Sequence, residues 1–200
     1  RAKRRIFCGG SYSDNYGQTW NAIPETTVAT SLGYVNGRAT GAALAEDPNT
    51  PNLVYFASDV AVGQWDMTTS KAGEVHNALG IEDVAVFDLA QVIGEPAVEG
   101  IAWAATDHGL GKTMAFPATT GGGEWLFPIR PKDDPIPLVT VAVHPSDLDI
   151  VLAGDTAGTI YRTTNGGATA ESWSPVFSTR NPPFAGRYTS PEKVAITAIR

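Results

Sequence analysis

The chain has 200 residues, 42% of them apolar, enough for one sizeable core, and its 18% charged residues stand beside 21 glycines and 14 prolines, a balance that favours short strands and many turns over long helices. The net charge of −7, from 14 basic and 21 acidic residues, argues against a nucleic-acid partner, whose phosphates need a dense basic surface. No apolar run of about 18 residues offers a membrane span, and a single cysteine, Cys8, excludes an internal disulfide.

In chain order, Arg1-Ala2-Lys3-Arg4-Arg5 is a short basic run, read as a solvated entry to the first strand. Two strands are expected at the N-terminus, Arg4–Cys8 and Trp20–Ile23. A first set of four follows at Gly41–Ala45, Leu53–Ala57, Gly63–Met67 and about His76–Leu79. A second spans Asp83–Leu89, Gly100–Ala105, Lys112–Phe116 and Glu124–Phe127. A third spans Leu138–His144, Asp149–Gly154, Thr159–Thr163 and Trp173–Phe177. One more strand is expected at Lys193–Ile199. These runs are short and rich in β-branched and aromatic residues, and the stretches between them (DPNTPN, TTGGG, HPSD, TNGG) are turn chemistry. The chain opens without a methionine, nearly on a strand, and ends inside another. It is therefore expected to be a segment of a longer protein.

Four stretches align on a turn glycine: Gly17 in SDNYGQTW, Gly73 in TSKAGEVH, Gly122 in ATTGGGEW and Gly167 in TTNGGAT, spaced 56, 49 and 45 residues apart. A four-strand unit repeating at roughly 45–50 residues is the period of a β-propeller blade. The expected fold is all-β, a propeller segment of four-stranded antiparallel blades. A partial blade would occupy 1–30, three blades 38–80, 82–130 and 136–180, and a further one would begin at 190–200.

The octet SDNYGQTW has a local rationale. The Asn15 side-chain oxygen can accept backbone N–H groups across a tight turn, Gly17 supplies positive φ, Thr19 caps a remaining group and Trp20 buries its ring beneath. Nothing in it is a nucleophile or a titratable pair, so it reads as a structural rivet. Gly109-Leu110-Gly111-Lys112-Thr113 imitates part of a phosphate loop, but no helix signal follows and a hairpin turn is expected instead. His76, His108 and His144 have no metal-ligand spacing, and His144 is expected to cap its turn. No metal or cofactor is expected.

Asp59, Asp107 and Asp155 each follow the second strand of a blade, in SDVAVG, TDHGLG and GDTAGT, and read as three copies of one turn aspartate. Trp65, Trp103 and Trp125 could stack on sugars or fill the space between blades. Trp103 is expected in the core, and Trp65, beside the Asp59 turn, is the first ligand-binding candidate.

Ser13, Asn15, Gly17, Thr19 and Trp20, and again Thr163, Asn165, Gly167 and Thr169, resemble the Asp-box, or BNR repeat, of sialidase-type propellers. Asn stands for the usual Asp in both copies, and three extra residues precede the second aromatic, Trp173. The resemblance implies hairpin turns between the third and fourth strands of a blade, away from the active face. The stretch from Leu53 to Asp66, LVYFASDVAVGQWD, resembles the first-blade segment of xyloglucanase-type glycoside hydrolases. That resemblance implies a catalytic carboxylate at Asp59, with Ala61-Val62 in place of a double glycine and a partner carboxylate in a second propeller. The expected function is a non-catalytic, exported or cell-surface propeller that binds or scaffolds a protein or polysaccharide partner, as in sortilin-type receptors. Its remaining blades would come from the same chain or a neighbouring subunit. The alternative is a fragment of a xyloglucanase-like hydrolase using Asp59, one of two carboxylates such chemistry needs.

Overall fold

The computed structural model describes residues 5–8, 10–30, 33–46, 52–70, 72–74, 81, 84–92, 100–116, 125–132, 136–181, 183, 196 and 199. The described residues form strands and turns, with no α-helix and one 3₁₀ turn at Ala170–Ser172. Four sheets follow one another along the chain. The first contains β1 (Ile6–Cys8), β2 (Ser11–Ser13) and β3 (Asn21–Ala22). The second begins with a hairpin, β4 (Thr26–Thr30) and β5 (Gly33–Gly37), and continues as β6 (Ala39–Glu46), β7 (Leu53–Ser58), β8 (Val62–Asp66) and β9 (Ala72–Glu74). The third is β10 (Val86–Val92), β11 (Gly100–Thr106), β12 (Gly109–Phe116) and β13 (Leu126–Ile129). The fourth is β14 (Leu138–His144), β15 (Asp147–Asp155), β16 (Thr159–Thr163) and β17 (Ser174–Ser178).

Each sheet buries its faces against its neighbours. Ile23, Val54, Phe56 and Trp65 join Phe7 and Tyr12 between the first sheet and the second. Tyr55, Ala57 and Val62 meet Val86, Ala102, Ala104, Phe116 and Trp125 between the second and third. Ile101, Trp103, Ala105 and Leu110 meet Val141, Val151, Tyr161 and Trp173 between the third and fourth. Strand β11 is covered on both faces, which is why its sequence is apolar throughout rather than alternating. β10, the first strand of its sheet, touches the first strands of both neighbouring four-strand units, β6 and β14. Sheets stacked in sequence order around aligned first strands form a β-propeller segment. A carboxylate fastens two of these inner strands together. Asp88 on β10 accepts the Thr140 hydroxyl at 2.8 Å and the Val141 N–H at 3.0 Å, both on β14.

Several strand assignments differ from the sequence reading. Ser11–Ser13 is an additional strand, paired with β1 and β3, so the N-terminal sheet has three strands. The β4–β5 hairpin was not anticipated, and β4 runs parallel to β9. The fourth strand of the second sheet is Ala72–Glu74, ahead of the expected His76–Leu79, which falls outside the described residues. Gly73 is therefore a strand residue opposite Gln64 and not a turn glycine. The turn there is built by Asp66, whose Oδ1 accepts the Thr68 N–H and hydroxyl at 2.9 and 2.7 Å. Gly122 lies outside the described residues. Of Lys193–Ile199 only Ile196 and Ile199 are described. Both lie on the fourth sheet, where Ile196 N–H donates to the Asp155 carbonyl and Ile199 N–H to Thr140 Oγ1.

Candidate functional site

Antiparallel pairing places the turns between second and third strands at one end of the molecule and the turns between third and fourth strands at the other. At the first end, three turns superimpose in register. Ser58, Thr106 and Asp155 each end the second strand, each face the opening of the first strand (Ala39, Val86 and Leu138), and all three are buried. The residue after each, Asp59, Asp107 or Thr156, donates its N–H to the carbonyl just before that first strand, of Arg38, Ala85 or Pro137. One structural position is thus filled by Ser58, Thr106 and Asp155, and the next by Asp59, Asp107 and Thr156. The expected equivalence of Asp59, Asp107 and Asp155 is corrected by one residue.

The register explains what each side chain does. Ser58 Oγ accepts the N–H groups of Val60 and Ala61 at 3.2 Å each. Thr106 Oγ1 accepts the His108 N–H and donates to the Gly109 carbonyl. Asp155 Oδ1 accepts Ala157 and Thr159 N–H at 2.8 and 2.7 Å, while Oδ2 accepts the Tyr161 hydroxyl at 3.2 Å. Burial, with the Asp155 charge, pushes the Tyr161 phenol up from its ordinary range. All three close the same turn by different chemistry.

Asp59 is therefore free of the turn. It is exposed, and its Oδ1 accepts the Arg38 N–H at 2.6 Å, whereas the N–H groups of Val60 and Ala61 go to Ser58. Arg38 meanwhile reaches Glu25 at 3.1 Å across open solvent, a pair worth little energy. Asp107 stands in the same position one blade on. Its Oδ1 lies 2.9 Å from His108 Nδ1 but at an angle that makes no hydrogen bond. Asp59 and Asp107 thus stand at the same position one blade apart, with Asp107 beside His108.

Trp65 is not a ligand platform. It is 2% exposed, its ring meets Tyr12 at 5.0 Å, and its indole N–H is spent on the Thr69 carbonyl. The strand alternation that puts Val62 on one face puts Trp65 under the first sheet. Trp103 and Trp125 are buried too, Trp103 edge-on to Trp173 and Trp125 to Phe116. Lys112 is a strand residue of β12. Its ammonium donates to the Gly166 carbonyl at 2.7 Å and lies 5.2 Å from the Trp103 ring centroid, so it links the third and fourth sheets. Burial lowers its pKa, with Asp149 opposing. His144 Nδ1 accepts the Ser146 N–H in its turn, and His76 lies outside the described residues.

At the opposite end stand the two octets. In the first, Ser13 Oγ accepts the Gly17 N–H at 2.8 Å and donates to Asn15 Oδ1, which also accepts the Thr19 N–H at 2.8 Å; Asn15 Nδ2 donates to Thr19 Oγ1. In the second, Thr163 donates to Asn165 Oδ1, and the Trp173 indole donates to the Gly167 carbonyl. Gly17 and Gly167 have φ of 84° and 61°. The three extra residues of the second copy are the 3₁₀ turn, which swings Trp173 into the core. Trp20 was expected to be buried in the same way. It leans on Gly17 but stays 46% exposed.

No family model matches the chain, and no curated protein matches it. Among solved structures, the chain is similar to a GH74 xyloglucanase from Xanthomonas campestris at 16% identity and a TM-score of 0.48, over 85% of this chain and 27% of that one. It is also similar to an ancestral GH74 enzyme at 19% identity and a TM-score of 0.47, over 68% of this chain and 18% of that one. A computationally designed protein, Ika8, matches at 13% identity and a TM-score of 0.35, over 82% and 59%. The chain spans about a quarter of the length of the first and less of the second. The propeller assignment rests on the sheets themselves.

Proposed function

We propose that the chain is a propeller segment of an extracellular, xyloglucanase-like glycoside hydrolase, with Asp59 as one of the two carboxylates that flank the scissile bond. A single observation carries this reading: Asp59 is an exposed carboxylate that does no structural work in its own turn, because Ser58 does it. The likeness of Leu53–Asp66 to the xyloglucanase segment supports it from the sequence side. In glycoside hydrolysis one carboxyl protonates the leaving oxygen while the other activates water or attacks the sugar carbon, at separations of roughly 5–10 Å. Asp59 Oδ1, held by one backbone N–H, leaves Oδ2 to face the substrate. The second acid and the rest of the groove come from further blades of the same chain or a neighbouring subunit, and the partner is a polysaccharide. The octet turns serve as Asp-box rivets at the far end.

The test is Asp59→Asn in the intact protein, assayed by reducing-sugar release from xyloglucan. Asparagine keeps the bond from Arg38 and removes only the charge and the basic oxygen. We expect the rate to fall at least about a hundredfold with the fold unchanged, the scale on which acid–base groups act. Asp107→Asn, the equivalent position one blade on, should leave the rate within a few-fold. Unchanged hydrolysis in Asp59→Asn removes the catalytic role. A protein that binds xyloglucan and hydrolyses none of it returns the function to a binding or scaffold module.

A further inference from the structure

We propose that β5 is a self-pairing edge through which two copies of this chain join, strand to strand. Among the described strands the second sheet runs in the order β5-β4-β9-β8-β7-β6, so β5 has β4 on one side and no strand on the other. The β4–β5 hairpin carries this sheet two strands beyond the four of the third and fourth sheets, about 10 Å at the usual strand spacing. An unpaired edge is a template for another chain, and proteins blunt such edges with proline or charge. The outermost strands of the third and fourth sheets are blunted in that way. β13 contains Pro128 and β17 contains Pro175, each without an N–H to donate. β5, Gly33-Tyr34-Val35-Asn36-Gly37, contains neither proline nor a charged residue.

The register says which backbone groups are on offer. Two residues join β4 to β5, and Thr30 faces Gly33 across that connection. Two-residue hairpins close on a pair that exchanges hydrogen bonds, and bonded and non-bonded pairs then alternate. The backbone groups of Gly33, Val35 and Gly37 therefore face Thr30, Val28 and Thr26, and those of Tyr34 and Asn36 point away from β4. These two residues flank Val35 symmetrically. An antiparallel two-fold axis centred on Val35 sets Tyr34 of each copy opposite Asn36 of the other, so every outward N–H and carbonyl of both strands finds a partner. The same axis sets Gly33 against Gly37, which leaves room at both ends, and Val35 against Val35, where no backbone bond is called for. The strand is thus its own antiparallel complement, a symmetry that a foreign strand would not require. The net charge of −7 opposes self-association in general, and β5 lets the copies meet along a strand that bears none of that charge. Such a pairing is isologous and closes at two copies. Nothing in it depends on the role of Asp59.

Sedimentation equilibrium of the intact protein, from roughly 1 to 500 µM, reads the association. The pairing is short, so the dimer belongs to the weak class of interface and should form toward the upper part of that range. Tyr34→Pro removes an outward N–H and leaves the bonds to β4 in place, as proline at a sheet edge can. It is expected to weaken dimerisation at least about tenfold, with the melting temperature of the dilute protein unchanged. Tyr34→Val keeps the N–H and should dimerise as wild type does. Cross-linking decides the matter even if the proline variant unfolds. With Cys8→Ser as background, Val35→Cys should form an interchain disulfide at least about tenfold faster than Tyr34→Cys, because Val35 meets itself across the axis and Tyr34 meets Asn36. A wild-type protein that stays monomeric throughout, undiminished dimerisation by Tyr34→Pro, equal cross-linking of the two cysteine variants, or assembly beyond two copies overturns the proposal.

Discussion

At the scale of single residues, the turn that ends each second strand shows how an oxygen position outlasts a residue type. Ser58, Thr106 and Asp155 close equivalent turns, but only Asp155 brings a charge, two short backbone bonds and a tyrosine. Hydrogen bonds to a charged acceptor are worth more than neutral ones, and a buried donor left unpaired costs its full desolvation. Asp155→Ala is therefore expected to cost about 3 kcal/mol and Ser58→Ala about 1 kcal/mol, read by urea unfolding. Equal losses would mean that the charge adds nothing. The same register accounts for the error in the sequence reading. Three aspartates near strand ends looked like one repeated residue, whereas the backbone pairs Asp155 with a serine and a threonine. Letters alone could not show that, because hydroxyl and carboxylate perform the same local task.

At the scale of elements, the octets were the most legible part of the chain, since their chemistry is local and needs no knowledge of neighbouring sheets. Their energetics differ for a reason the sequence also hinted at, the three-residue insertion that takes Trp173 inward. A Cβ on Gly167 would stand 2.7 Å from the Trp173 ring and 2.9 Å from Thr163 Cγ2, whereas on Gly17 it would meet Trp20 at 3.6 Å. Gly17→Ala should cost about 1 kcal/mol, for backbone strain alone, and Gly167→Ala about 3 kcal/mol, for strain plus overpacking. Denaturant midpoints of the two variants check this, and a Gly17 variant as damaged as the Gly167 one would refute the distinction. The β4–β5 hairpin and the early fourth strand, Ala72–Glu74, were not legible. Their pairing is with each other across distant sequence, β4 on β9, and nothing in TTVAT or AGE announces the partner.

At the scale of the whole molecule, the blades are held together by contacts that a repeat hides. Trp65, placed by its sequence beside a candidate carboxylate, turns inward because the first sheet covers it. Asp88 ties two inner strands and Lys112 ties two sheets; nothing in the sequence around Asp88 marks it, and Lys112 stands out there only as part of an apparent phosphate loop. Among the described residues at the end where the inner turns gather, Asp59 is an exposed carboxylate held by the Arg38 N–H, its own turn being closed by Ser58. The central claim is that Asp59 acts on the glycosidic bond itself. Its most direct test is anion rescue: Asp59→Ala in the intact protein, assayed on xyloglucan with and without sodium azide, a small anion that can enter the space of the missing carboxylate. The account predicts a rate at least about a hundredfold down without azide, and restored several-fold with it. A variant as active as wild type in the absence of azide would contradict it.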